Sequence, residues 1–307
     1  MKELMTTLER YEDFSALLTS GVENIVVSLE GLSSTVSQKL NKEELEMLLR
    51  DVKSHNEKTA YDQNAKEKVS ISIRANQTFH EGMLKEAEEW MQYLSERKDD
   101  LEAILFADPS LFYLAKKYQM VEKMIYDPET LMTSINDANW WIQHGVKGIA
   151  ISPLLTLQET EEIASKVEKA VVTVHGRTMM ARSYRKLLTA YQETYDLDDK
   201  VVQNKNLYLI EKTRDGQMPV YEDETGTLIY SENVLDSFDF IEKILESHPM
   251  GLLIEGCYLP LEEQLQAIKS YRRILNGEDP VLIGKEYREQ FAAEPLDSGY
   301  YEQKTVK

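Results

Sequence analysis

The chain has 307 residues, 42% of them hydrophobic, with 54 acidic against 35 basic side chains and a formal charge of −19. That supplies a large core rather than a disordered chain, and the acidity argues against unaided binding to a polyanion, since such affinity rests on Lys and Arg neutralising phosphates. The single Cys257 excludes an intramolecular disulfide and any zinc or iron–sulfur site built from this chain's own thiolates.

The first ten residues carry acids and lack an apolar h-region, so they do not read as a signal peptide. No apolar run approaches the length needed to cross a membrane. A soluble, cytoplasmic protein is expected.

Strand-like and helix-like segments then alternate. NIVVSL at 24–29 reads as a strand. A helix follows from Asn41 to about His55, with Asn41 as N-cap and Glu44 completing a capping box. VSISIR at 69–74 alternates as a strand, and Glu81 to Arg97 has helical apolar spacing. Leu101 to Phe106 is a strand ending at Asp108-Pro109, where proline suits the opening of a helix. Short strands at Lys123–Tyr126 and Val146–Ile151 flank a helix bearing Trp140 and Trp141, with Gly145 as its left-handed cap.

Ala170 to Val174 is a run of β-branched residues that suits a strand covered on both faces, and a basic helix is expected beyond it. Asp215-Gly216 and Thr225-Gly226 are hairpin signals between LYLIEK, MPVY and TLIY. A helix from about Asn233 to Glu246, a strand at Gly251–Glu255 and a helix at Leu261–Leu275 complete the series. Counting the hairpin region as the seventh strand gives eight strand–helix units. The expected fold is therefore an α/β protein, a (β/α)8 TIM-barrel-like domain, incomplete or distorted, with a β-hairpin elaboration around 207–230. A doubly wound sheet is the alternative. The barrel is expected to occupy 1–275, with 276–307 as a tail packed on it.

In such a barrel the strand-end residues line one mouth. They are Glu30, Asn76, Asp108, Asp127, Ser152, His175 and Glu255. Converging carboxylates raise one another's pKa and suit acid–base work or cation binding. His175-Gly176-Arg177 stands out: an imidazole at a strand end, a glycine permitting close backbone approach, and a guanidinium fork for an anion. The expectation is that His175, Arg177 and Glu255 share one pocket, with His175, Glu255 and Asp108 catalytic and Arg177, Asn76 and Glu30 binding ligand. The plainer alternatives are a core-edge histidine, an Asp108 helix cap and an Arg177–Glu255 pair that merely closes the barrel.

Other signals are weak. His80-Glu81 lacks the second histidine of a zincin, and the nucleophile-elbow, P-loop and dinucleotide motifs are absent. His55, His144 and His248 fit solvent-facing or capping positions, and Cys257 fits a packed thiol better than a nucleophile. Tyr184-Arg185-Lys186 and Tyr271-Arg272-Arg273 are the nearest approaches to a basic patch, though short basic pairs on helices are usually solvated faces.

Several stretches together resemble peptidase family U32, the collagenase-like peptidases. They are Val174-His175-Gly176-Arg177 with Met179-Met180, Leu207-Tyr208-Leu209 through Met218-Pro219-Val220, Gly226-Thr227, Ser231-Glu232-Asn233, and Leu252-Leu253-Ile254-Glu255-Gly256. Phe106-Ala107-Asp108-Pro109 and His144-Gly145-Val146-Lys147 also fit. The tail, with Leu296 to Tyr301 and Lys304-Thr305-Val306, is similar to the shorter, cysteine-poor paralogue of a Firmicutes pair.

The resemblance implies a barrel-like domain and either proteolysis of collagen-like substrates or hydroxylation of RNA bases and quinone precursors, including 5-hydroxyuridine at the tRNA wobble position. It also implies an iron–sulfur cluster in members with cysteines after the His-Gly motif. Here Arg182-Ser183-Tyr184-Arg185 stands where those members reach a cysteine, and Ser152-Pro153 replaces an Arg-Glu pair. No cofactor is expected on this chain, and an iron–sulfur cluster is expected only on a partner. The leading expectation is a subunit that joins a longer U32 paralogue and meets tRNA through it. A peptidase and a catalytically silent scaffold are the alternatives.

Overall fold

The computed structural model describes residues 2–59, 68–167, 169–197, 200–210 and 216–302. Eight parallel strands close on themselves: β1 (Glu3–Thr7), β2 (Asn24–Leu29), β3 (Ser70–Ala75), β4 (Ala103–Phe106), β5 (Met124–Tyr126), β6 (Gly148–Ala150), β7 (Ala170–Gly176) and β8 (Gly251–Ile254). β8 pairs with both β7 and β1, which completes the cylinder. Helices return the chain from each strand to the next, including Lys42–Thr59, Leu84–Ser95, Pro109–Lys117, Ile135–Gln143, Leu157–Val167 and Leu261–Leu275. The fold is a (β/α)8 barrel.

Two apolar cores follow from strand alternation. Met5, Val26, Leu105, Ile125, Val171 and Leu253 point inward and fill the cylinder. Leu4, Ile25, Ile71, Ile104, Val172 and Leu252 point outward against the helices. β3 obeys the same alternation with a polar inner face. Ile71 and Ile73 pack outward, so Ser72 and Arg74 are left facing the barrel interior.

Local chemistry explains the helix starts. Asn41 Oδ1 accepts from the backbone of Glu43 and Glu44, and Glu44 returns a bond to the Asn41 N–H. Asp108 caps the next helix by accepting from Ser110, with Pro109 at its first position. Gly145 ends the tryptophan helix at φ +89°.

Three sequence expectations are corrected. The strand needed to complete the barrel is Glu3–Thr7, not the hairpin region; ELMTT has too few apolar residues to announce itself, yet it is held between two strands. The hairpin region builds a separate antiparallel sheet with Leu207–Ile210, Gln217–Asp223, Gly226–Tyr230 and Met179–Ser183 in that order. The basic segment after β7 therefore begins as a strand of this sheet, with the helix Leu187–Tyr195 beyond it. The expected helix at 233–246 is a strand, Val234–Asp236, running antiparallel to β7, then a short helix, Ile241–Glu246. Asp215 and the Lys304-Thr305-Val306 motif lie outside the described residues.

Beyond Leu275, the helix Pro280–Gln290 buries Ile283 and Tyr287, and Leu296–Asp297 pairs with Val234–Leu235. Ile283, Tyr287 and Tyr301 join the outer apolar core.

Candidate functional site

The antiparallel sheet covers the C-terminal mouth of the barrel. Arg182, on its Met179–Ser183 strand, donates to the carbonyls of Asn76 (2.6 Å) and Ser34 (3.1 Å) and to Glu129 Oε1 (2.7 Å). Lys39 pairs with Asp223 at 2.6 Å, and Ser34 Oγ meets Thr225 Oγ1 at 2.7 Å. Beneath this cover is a cavity of about 50 Å³ lined by Arg74, Asn76, Asp127, Glu129, Arg177 and Glu255, with Thr173, Tyr230 and Cys257 in its wall.

Its centre is an ionic network. Arg74 Nη1 and Nη2 grip Glu255 at 3.0 and 2.6 Å in a two-pronged pair. Asn76 Nδ2 donates to Glu129 Oε1 at 2.6 Å, so the amide and Arg182 hold the same carboxylate oxygen. Asp127 Oδ1 accepts from the Glu129 backbone, and Glu129 takes φ +56° to fold back over the mouth.

Burial raises the Asp127 carboxyl above its ordinary range, opposed by Arg74 and reinforced by Glu255. Burial does the same to Glu129, opposed by Arg182 and reinforced by Asp127. For Arg74, burial would favour the neutral form, but the charge and hydrogen bonds of Glu255, aided by Asp127 and Glu129, outweigh it and keep the guanidinium charged. The Nε atoms of Arg74, Arg177 and Arg182 are buried without a hydrogen-bond partner. Such donors suit a carbonyl or anionic ligand.

The residues singled out in the sequence separate into two groups. Asn76, Asp127, Arg177 and Glu255 line the cavity. Arg177, however, spends its guanidinium on the Ser231 and Glu232 carbonyls and on Glu294 at 2.9 Å. His175 lies behind the wall, fully buried among Phe238, Tyr271 and Tyr287, with Nε2 3.0 Å from Tyr287 Oη. Burial lowers its pKa to about 3.

The cause of this placement is a register shift. Leu253 pairs with Thr173 but Ile254 pairs with His175, so Val174 is skipped and the alternation inverts. Asp108 caps a helix and accepts from Phe79 N–H at 2.9 Å. Glu30 is exposed outside the cavity. Ser152 Oγ accepts from the Leu154 backbone.

Sequence reasoning missed Arg74, Glu129 and Arg182 as site residues. Arg74 had a signal: in a strand whose apolar positions face the helices, the alternate positions face the barrel interior. Arg182 and Glu129 had none, because both reach the mouth through loop and sheet geometry.

A cluster on this chain's own thiols does not fit. Cys257 is buried, its thiol donates to the Arg177 carbonyl at 3.5 Å, and burial, then Glu9 and Glu255, push its pKa well up. A cluster needs about four thiolates. Among the described residues no group of three or more His, Cys, Asp or Glu is placed to hold a metal ion. Nor does any described helix have the length and apolarity to cross a membrane.

A (β/α)8 barrel whose mouth is roofed by its own inserted sheet over a buried arginine–carboxylate network defines the architectural class. The chain belongs to peptidase family U32, which it matches over residues 9–306. It is 27% identical over 216 residues to tRNA hydroxylation protein P2 of Bacillus subtilis (strain 168), covering 69% of each chain. It is also 27% identical over 205 residues to tRNA hydroxylation protein P of Escherichia coli (strain K12), covering 50% of this chain and 44% of that protein.

Proposed function

We propose that this protein is a subunit of a tRNA hydroxylation system, acting on the wobble uridine together with a longer, cysteine-bearing U32 paralogue. The observation that carries the reading is the roofed mouth itself. It presents buried guanidinium donors and carboxylates of raised pKa, which suit a base carbonyl and proton exchange, on a chain with a single, buried cysteine. The names of the two relatives support the same reading.

Within it, Arg74 is the ligand-orienting donor through its unpaired Nε, Asp127 and Glu129 the proton-holding groups, Glu255 the counter-charge that fixes Arg74, and Asn76 and Arg182 the groups that position Glu129. The cavity, of about 50 Å³, is small and lies under the roof. A nucleobase therefore enters only after the sheet lifts, and the base must leave its stack to do so. The peptidase reading has the family name in its favour, but His175 is paired with a tyrosine behind the wall, not with a nucleophile.

The test is a deletion strain lacking redundant pathways, with its tRNA digested and analysed by mass spectrometry. Loss of wobble hydroxylation, restored by the wild-type chain but not by Asp127→Asn, is expected. Unchanged modification in the deletion strain would sink the proposal.

A further inference from the structure

We infer that the exposed segment Tyr184–Tyr195 is a docking surface for single-stranded RNA, laid beside the barrel mouth. The inference rests on the tRNA reading above and gives it a location. From Arg177 to Tyr195 the chain carries four cations and one acid, Glu193, although acids outnumber cations 54 to 35 overall. Two of those cations, Arg177 and Arg182, are committed inside the mouth. The other two, Arg185 and Lys186, are exposed, and neither makes an ion pair among the described residues.

The helix Leu187–Tyr195 continues the surface. Leu187, Tyr191 and Tyr195 recur at every fourth position, so they form one stripe, and they are 43%, 56% and 62% exposed. The Tyr191 and Tyr195 rings lie 4.6 Å apart. The first turn of the helix is tied down: Leu188 and Thr189 backbone N–H groups donate to Glu222, and Leu187 N–H to Thr227. The stripe is thus an exposed platform anchored at its Leu187 end and aromatic at Tyr191 and Tyr195.

Tyr184 joins platform to mouth. Its ring is 54% exposed, its hydroxyl is hydrogen-bonded to Thr78, and Thr78 lies two residues beyond Asn76 of the cavity. Aromatic rings in series beside unpaired cations are the chemistry that holds unstacked bases and their phosphates. A base bound next to Tyr184 stands at the edge of the roof that must lift.

The experiment measures binding of the purified chain to a fluorescent anticodon stem–loop with an unmodified wobble uridine, and to the duplex stem alone. The loop is expected to bind more tightly than the duplex. Tyr191→Ala with Tyr195→Ala should weaken loop binding about tenfold. Arg185→Ala with Lys186→Ala should weaken it and lower the log–log salt slope by about 1.4. All four positions are exposed, so circular dichroism should show an unchanged fold.

No loop binding by the wild-type chain at low salt, or wild-type affinity in both variants, overturns the inference. So does loss of self-association or of paralogue capture with RNA affinity intact, which assigns the stripe to a protein interface. Loop binding through these residues in a chain whose deletion leaves hydroxylation unchanged removes the functional reading and keeps the surface. Variants that retain both binding and hydroxylation, when the deletion abolishes hydroxylation, remove the surface alone.

Discussion

Arg74 and Glu255 meet face to face inside the barrel although β1 and β2 stand between the strands that carry them. The pair staples opposite parts of the wall and places one fixed charge beside Asp127 and Glu129. Removing the cation leaves Glu255 without its partner and Asp127 without its largest opposing charge, while Glu129 keeps Arg182. Arg74→Ala should cost about 3–5 kcal/mol, and Arg74→Met with Glu255→Leu should recover much of that. Urea unfolding decides it; a single variant within about 1 kcal/mol of wild type would show the network contributes little.

His175 sets an acid limit on stability. Its imidazole stays neutral in the native protein down to about 3, whereas the unfolded chain takes up a proton near 6.5. Its contribution is therefore complete above 6.5 and is lost progressively as the pH falls from there toward 3, at about 1.4 kcal/mol per pH unit. Raised carboxyls such as Asp127 and Glu129 act in the opposite sense, gaining stability as they protonate. The difference between wild type and His175→Phe isolates the imidazole. That difference should shrink between pH 6 and pH 4; parallel curves would contradict the assignment.

Gly176 admits no side chain. It sits at φ +110°, and a Cβ there would lie 2.1 Å from the Glu255 carbonyl oxygen. Gly176→Ala must push β7 away from the end of β8, which also carries the Arg74 partner. A loss of about 3 kcal/mol or more is expected, read as a fall in melting temperature. A melting temperature within a degree or two of wild type would refute the close approach.

Arg182 is the latch of the roof. Arg182→Ala frees two backbone carbonyls and leaves Glu129 without its cation, so burial should push that carboxyl higher still. The barrel strands should keep their hydrogen-exchange protection while Met179–Ser183 and Gly226–Tyr230 exchange faster. Uniform acceleration through β2, β3 and β4 would mean that the roof and the barrel unfold together.

Much of the barrel was legible because Ala170–Val174, Leu101–Phe106 and Asn24–Leu29 are apolar runs bounded by clear helix signals. Glu3–Thr7 was not, since its strand character comes from pairing on both sides and not from composition. In the site, Asn76, Asp127 and Glu255 were legible as strand-end residues. His175 was misleading because one skipped residue, Val174, turns the ring outward, and no sequence pattern announces a register shift. Asp108 carried two readings, and the N-cap geometry supplies the plainer one. Arg182 is invisible from sequence because it arrives from a different sheet.

The seam between β1 and β8 has a consequence for biosynthesis. Thr6 Oγ1 donates to the Ile254 carbonyl at 3.0 Å, a partner 248 residues further along. On the ribosome, β1 can pair with β2 early, but its other edge waits until nearly the whole chain has emerged. Such distant pairing is slow to form, and an unpaired strand edge invites association with other chains in the interval. Sequestering Glu3–Thr7 would therefore leave the cylinder open, with β2 and β8 each exposing an unpaired edge.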